Sequence, residues 1–328
     1  MRNRMPMAAV IVMALFLSAC GSTGTLADPA PVNTVERPRP VGAAENPTAT
    51  SGSAAPAPPS CPADGRASIR PTGPLPPPGQ MPDGNMRTIQ QRGLLKAGVD
   101  QNTFLFGFRN PNTGQLEGFD IDRVHEIAAA IFGDPNKIQY VPLASADRIE
   151  ALKTGKVDVV VRTFTANCTR WADINFSAIY YVAGQRLLVD KSSTVTDLKQ
   201  LGGKRVCTQT GSTSFNTLSK ADPKLVVVAT KTWSDCLIML QQGQADAIST
   251  DDGILAGMAA QDPNVKLVGN RFTQEPYGIG IPKRNEDMVR FVNSVLEKSI
   301  RDGAWQASYN RWLRPSIGDA SPPVPEYR

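Results

Sequence analysis

Fifteen of the 27 prolines in this 328-residue chain fall between Pro29 and Pro82, mixed with Ala, Ser, Thr and Gly. Such a stretch has too little apolar side chain to offset the entropy of ordering it, so it reads as a tether with polyproline character. Any core must then come from the residues after about position 85. Single cores stop growing at about 250 to 300 residues, so the chain has room for two lobes, although length alone does not demand them.

Ahead of the tether, Arg2 and Arg4 precede an apolar run from Ala8 to Leu17 and the tetrapeptide Leu17-Ser18-Ala19-Cys20. The run is too short for a finished membrane helix, which needs about 20 residues. Its ending matches the bacterial lipobox, which predicts a signal peptide over 1–19. Cys20 would then be the lipidated new N-terminus, and residues 20–85 a disordered tether. A flexible coil of that length reaches roughly 40 Å, and proline stiffness extends it. No later segment approaches 18 uninterrupted apolar residues, so the expected location is extracytoplasmic, held to the cell membrane by the lipid.

The other cysteines are Cys61, Cys168, Cys207 and Cys236. An even number in an oxidising compartment predicts two disulfides. Three connectivities exist; Cys207 with Cys236 is favoured because they lie on neighbouring elements, leaving Cys61 with Cys168. His125 is the single histidine and no close Cys/His spacing occurs, so no metal site or cofactor is expected. The formal charge of +5 drops to +3 without Arg2 and Arg4. With no basic block interleaved with aromatics, nucleic acid is not an expected partner.

After Met86 the pattern becomes α/β. Leu94–Val99, Ile138–Val141 and Val157–Val161 read as strands, with helices over Asp120–Phe132 and Ala146–Leu152. The second half repeats this with strands at Lys204–Thr208, Leu225–Ala229 and Ala245–Ser249 and helices at Ser212–Lys220 and Ser234–Gln242. A helical pair, Asn285–Arg301 and Ala304–Trp312, closes the chain. Two α/β units with a ligand at strand ends between them is a binding-cleft layout.

Six stretches carry a resemblance. They are Leu116-Glu117-Gly118-Phe119-Asp120-Ile121-Asp122, the run from Arg148 to Asp158, Arg170 followed by Asn175-Phe176-Ser177, Thr210-Gly211-Ser212-Thr213-Ser214, Gly243-Gln244-Ala245-Asp246-Ala247 ending at Asp251, and Pro276-Tyr277-Gly278-Ile279-Gly280. In this order and spacing, residues 86–314 resemble the polar amino-acid family of ABC-type solute-binding proteins, especially the glutamine/glutamate-binding lipoproteins of actinobacteria. The resemblance implies a two-lobed periplasmic-binding-protein-like fold with two hinge crossings. Lobe 1 is expected over 86–189 plus 282–328 and lobe 2 over 190–281, with hinges near Val189-Asp190 and Gly280-Ile281.

An α-amino acid offers a carboxylate, an ammonium and a side chain, so its receptor needs a planar cation, an anion and a third pocket. The resemblance assigns Arg170 to the carboxylate, which a guanidinium can grip through two parallel hydrogen bonds. Thr163 and Thr165 would add hydroxyl and backbone donors. Asp251, at a strand end, would take the ammonium, and Gly211, Ser212 and Thr213 would hold ligand oxygen from the second lobe at a helix start. Arg148 would line the first lobe near the ligand side chain, and Phe104 would lie over its aliphatic part. The longer segment between Thr165 and Arg170 puts strict glutamine specificity in doubt.

The expectation is a non-enzymatic lipoprotein that closes on glutamate, aspartate, glutamine or asparagine and presents it to a membrane permease. The alternative is a sensor that reports ligand occupancy to a membrane receptor. With one histidine, no nucleophile-base pair is visible for an enzyme on the same fold.

Overall fold

The computed structural model describes residues 38–47, 61–221 and 223–328. The expected signal peptide, the lipid-accepting Cys20 and the parts of the tether over 20–37 and 48–60 lie outside them. Among the described residues no helix is long and apolar enough to cross a membrane.

The first lobe is built on a five-stranded sheet ordered Ile138–Pro142, Leu95–Val99, Val159–Val160, Gly280–Pro282 and Ile174–Phe176. The first three run parallel, and Gly280–Pro282 is antiparallel to both of its neighbours. Leu95, Ala97 and Val99, which share one face of their strand, are wholly buried. Helix Phe119–Phe132 packs on this sheet through Ile121, Val124, Ile127, Ala128 and Ile131, the i, i+3, i+4 stripe visible in the sequence. It stops at Gly133, whose φ of +75° sends its N–H back to the Ala129 carbonyl.

The second lobe holds a six-stranded sheet ordered Ala44–Glu45, Val226–Thr230, Arg205–Gln209, Ala247–Asp251, Gln185–Asp190 and Val265–Val268. Disulfides join Cys207 to Cys236 and Cys61 to Cys168, with Cα atoms 5.5 Å and 5.4 Å apart. The first ties a strand to helix Trp233–Gln241, and the second ties the N-terminal segment to helix Cys168–Asp173.

The lobe crossings fall elsewhere than expected. Strand Gln185–Asp190 pairs with Ala247–Asp251 and Val265–Val268, so it belongs wholly to the second lobe and Val189-Asp190 is no hinge. Gly280–Pro282 already sits in the first-lobe sheet, so Gly280-Ile281 is not the return crossing. Between them Tyr181–Ala183 and Glu275–Tyr277 pair antiparallel as a separate two-stranded ribbon. Both crossings run through that ribbon. The lobe boundaries therefore move to about 184 and 274, because strand pairing, not the local apolar pattern, decides which sheet a strand joins.

The tether expectation also needs correction over its described parts. The Trp171 indole donates to the Gly65 carbonyl at 2.7 Å, Ser68 is fully buried against Phe176 and Asn293, and Met81 is fully buried. Further upstream, Ala44–Glu45 adds an edge strand to the second lobe, and Asn46 exchanges hydrogen bonds with Val227. Such a segment cannot make a core of its own, yet a few apolar side chains and free backbone groups suffice to dock it on a core built by others.

Candidate functional site

At the carboxyl end of strand Val159–Val160 the chain turns sharply. Thr163 takes φ +39°, a conformation that β-branched residues rarely adopt and that marks functional turns. Its N–H is held at 2.8 Å by the buried Asp120 carboxylate. Phe164 follows, 1% exposed, and both candidate arginines lie over its ring, Arg148 at 4.2 Å and Arg170 at 4.8 Å from the centroid.

Arg170 rides on helix Cys168–Asp173, whose N-cap Asn167 accepts from the Arg170 N–H at 3.0 Å. Its guanidinium donates to the Thr165 carbonyl at 2.6 Å and across the cleft to the Gly211 carbonyl at 3.3 Å. Arg148 opens helix Arg148–Lys153 and donates to the carbonyls of Ser145, Arg162, Thr163 and, at 3.2 Å, Gly211. Among the described residues neither guanidinium takes part in an ion pair, whereas the neighbouring Arg162 is matched with Asp100 at 2.6 Å. Burial, reinforced by Arg170 and Arg162, holds Arg148 well below the usual guanidinium range. Burial likewise brings Arg170 down to about 10, against the opposing pull of Glu275 and Asp251.

The second lobe supplies the opposite charge. Asp251 ends strand Ala247–Asp251, is 4% exposed, and accepts from the Tyr277 hydroxyl through Oδ2. Its Oδ1 is buried without a hydrogen-bond partner among the described residues. Burial, then repulsion from Glu275, pushes its carboxyl well above the ordinary range. Ser212 caps helix Thr213–Leu218 by accepting from the Phe215 N–H at 3.0 Å and donates to the Gln209 carbonyl at 2.7 Å, so its hydroxyl is largely occupied by structure. Gly211 comes so close to the first lobe that a Cβ there would meet the Ala146 Cα at 2.6 Å.

Arg148, Thr163, Thr165, Arg170, Ser212, Thr213 and Asp251 together line one nearly filled inter-lobe cavity, with only about 10 Å³ open to a water-sized sphere. Gly211 contributes the carbonyl on which the two arginines meet. Phe104 is not in the cavity. Its ring packs edge-on against Phe108 at 4.7 Å and its carbonyl faces Gly257 of the second lobe, because the aromatic sheet edge offers an apolar partner that the polar cavity wall does not. Sequence reasoning missed Ser145, Ser214, Trp233, Thr250 and Ile254, which also line the cavity. Trp233 begins helix Trp233–Gln241 behind a Thr232/Asp235 capping box, and its indole N–H is buried with no partner among the described residues. The capping box was legible; the direction of the ring was not.

A buried pair of unmatched cations on one lobe faces an unmatched carboxylate oxygen on the other, an arrangement suited to a zwitterion. The family model for bacterial extracellular solute-binding proteins, family 3, matches residues 95–315. The chain belongs to that family. Among the family-3 relatives, the ABC transporter glutamine-binding protein GlnH of Bacillus subtilis is 36% identical over 230 residues, covering 70% of this chain and 84% of that protein. The glutamate-binding protein GluB of Corynebacterium efficiens is 31% identical over 258 residues, 74% of this chain and 85% of its own. In structure, an ancestral arginine-binding protein bound to glutamine superposes with a TM-score of 0.64 at 33% identity, covering 70% of this chain and 99% of that one. The family-3 chain thus shares the two-lobed fold of amino-acid-binding proteins.

Proposed function

We propose that this protein is an extracytoplasmic receptor, anchored through lipidated Cys20, that closes on glutamate, aspartate, glutamine or asparagine and presents it to an ABC permease. One observation carries the reading: among the described residues Arg148 and Arg170 have no carboxylate partner on one lobe while Asp251 Oδ1 has no donor on the other. Arg170 takes the α-carboxylate, Asp251 the α-ammonium, and Arg148 with the Trp233 N–H the oxygen at the end of the side chain. Two unpaired cations favour a second carboxylate over an amide, so the acidic ligands are expected to bind more tightly than their amides. The names of the glutamine- and glutamate-binding relatives support the ligand class. Ligand bridging both lobes stabilises the closed form by its differential affinity, and the membrane partner reads that closure.

Calorimetric titration of the purified protein with the four amino acids tests the proposal. Saturable binding of at least one supports it; no heat with any of them overturns it.

A further inference from the structure

The ribbon through which the chain crosses between lobes begins with Glu275, a carboxylate only 3% exposed that none of the ligand roles above uses. Its Oε2 accepts from the Thr165 hydroxyl of the first lobe at 2.8 Å and from the Thr213 hydroxyl of the second at 2.7 Å. Its Oε1 accepts from Thr273 at 2.8 Å. One carboxylate oxygen thus holds a hydroxyl from each lobe. Thr165 and Thr213 line both the ligand cavity and a wider outer pocket bounded by Asp64, Asn167, Asn216 and Gln274, whereas Glu275 lines the outer pocket alone. The Thr165–Glu275–Thr213 bridge is therefore the wall between the two spaces.

Thr165 is tied to the ribbon by a backbone bridge to Tyr277, and the neighbouring Ala166 N–H donates to the Pro276 carbonyl at 2.8 Å. Thr213 has no such tie, since it is carried on helix Thr213–Leu218 of the second lobe. If the ribbon moves with the first lobe, to which Thr165 and Ala166 tie it, rotation of the second lobe would separate Thr213 from Glu275 and leave Thr165 in place. We propose that Glu275 is a positioning residue that latches the closed state and seals the cavity wall, and so sets how long a captured ligand is held. The choice of probe rests on the amino-acid reading above; the latch itself does not.

The test is stopped-flow release of bound glutamate and glutamine from the full protein and from Glu275→Ala, Glu275→Gln, Thr213→Val and the Glu275→Ala/Thr213→Val double variant. Loss of a hydrogen bond to a charged group corresponds to about 10- to 100-fold faster release. That is expected for Glu275→Ala, with its association rate unchanged; because Thr213 also lines the ligand cavity, the latch is read from the double variant being no faster than Glu275→Ala. Glu275→Gln, whose amide oxygen still accepts, should recover most of the slow release. Wild-type release from Glu275→Ala, or multiplicative effects in the double variant, would overturn the latch. A role confined to fold stability would shift the melting temperature without that coupling. Should Glu275→Ala not fold, the near-isosteric Glu275→Met and its double variant with Thr213→Val supply the same comparison. Should the wild type bind none of glutamate, aspartate, glutamine and asparagine, the functional proposal falls and the latch is read from small-angle scattering. An expanded radius of gyration in Glu275→Ala and Thr213→Val then supports it, and curves identical to wild type overturn it.

Discussion

Arg148 and Arg170, on two different short helices of the first lobe, converge on the same Gly211 carbonyl of the second lobe and on the same Phe164 ring. Two buried like charges held this close repel each other, and the carbonyl supplies only a partial negative charge in return. The fold keeps them together at a cost that an anionic ligand would offset.

Removing either end of the proposed zwitterion grip should abolish tight binding. Arg170→Ala and Asp251→Ala are each expected to weaken amino-acid affinity by about 2 to 5 kcal/mol, the loss seen when one partner of a buried charge pair is truncated. Arg170→Lys should recover little, since an ammonium cannot present two parallel donors. Titration calorimetry reads all three, with circular dichroism checking the fold.

Trp233→Phe keeps an aromatic side chain, though a smaller one, and deletes the buried N–H. Glutamate and glutamine should then bind more weakly by about 1 to 3 kcal/mol. Any binding of alanine, which has no side-chain acceptor, should be unchanged. Equal losses for ligands with and without a side-chain oxygen would remove Trp233 from the specificity pocket.

Gly211→Ala should hinder closure without unfolding either lobe. The added Cβ meets the Ala146 backbone, and the φ of +76° disfavours any side chain. The positive φ acts on open and closed forms alike and should lower the melting temperature by a few degrees, about 1 kcal/mol. The Ala146 clash exists only when the lobes meet, so affinity should fall further, with the ligand-bound protein remaining expanded in small-angle scattering.

Asp120 gives the stability a pH dependence of known sign. Burial pushes its carboxyl up to about 6 from 3.8, against the hydrogen bonds from Tyr180 and the Thr163 N–H. Its contribution is fully present below about pH 4, where folded and unfolded chains both hold the proton. As pH rises to about 6 the unfolded chain has lost that proton while the folded one keeps it, so stability falls by about 3 kcal/mol. Asp120→Asn should lack this decline. Urea denaturation of both proteins between pH 3.5 and 7 checks it; parallel curves would show that Asp120 is ionised in the folded state.

Much of the architecture was legible because it is local. Helix Asp120–Phe132 was expected from its apolar stripe and is observed at Phe119–Phe132; Asn285–Arg301 is observed at Glu286–Arg301. Helix Asp252–Gln261 went unseen because Ile254, Leu255, Ala256 and Met258 are all buried, with Gly253 and Gly257 pressed against Phe106 and Phe104. A helix covered on every side has no polar face to mark its period. The charged residues that line the cavity were identifiable by type and motif spacing, whereas Phe104 lies outside its lining and nothing local marked Trp233 as part of it.

The amino-acid sequence by itself determined the alternation of strand and helix, the cysteine complement and the charged side chains available to a ligand, since each depends on residues close along the chain. Only the tertiary structure decided that Gln185–Asp190 joins the second lobe, that the proline-rich segment docks on both lobes, and that Thr165 and Thr213 meet on one oxygen of Glu275. Glu275 lies 110 positions from Thr165 and 62 from Thr213. Pairings at such separations are set by how whole sheets and lobes pack, and no local pattern of side chains encodes them.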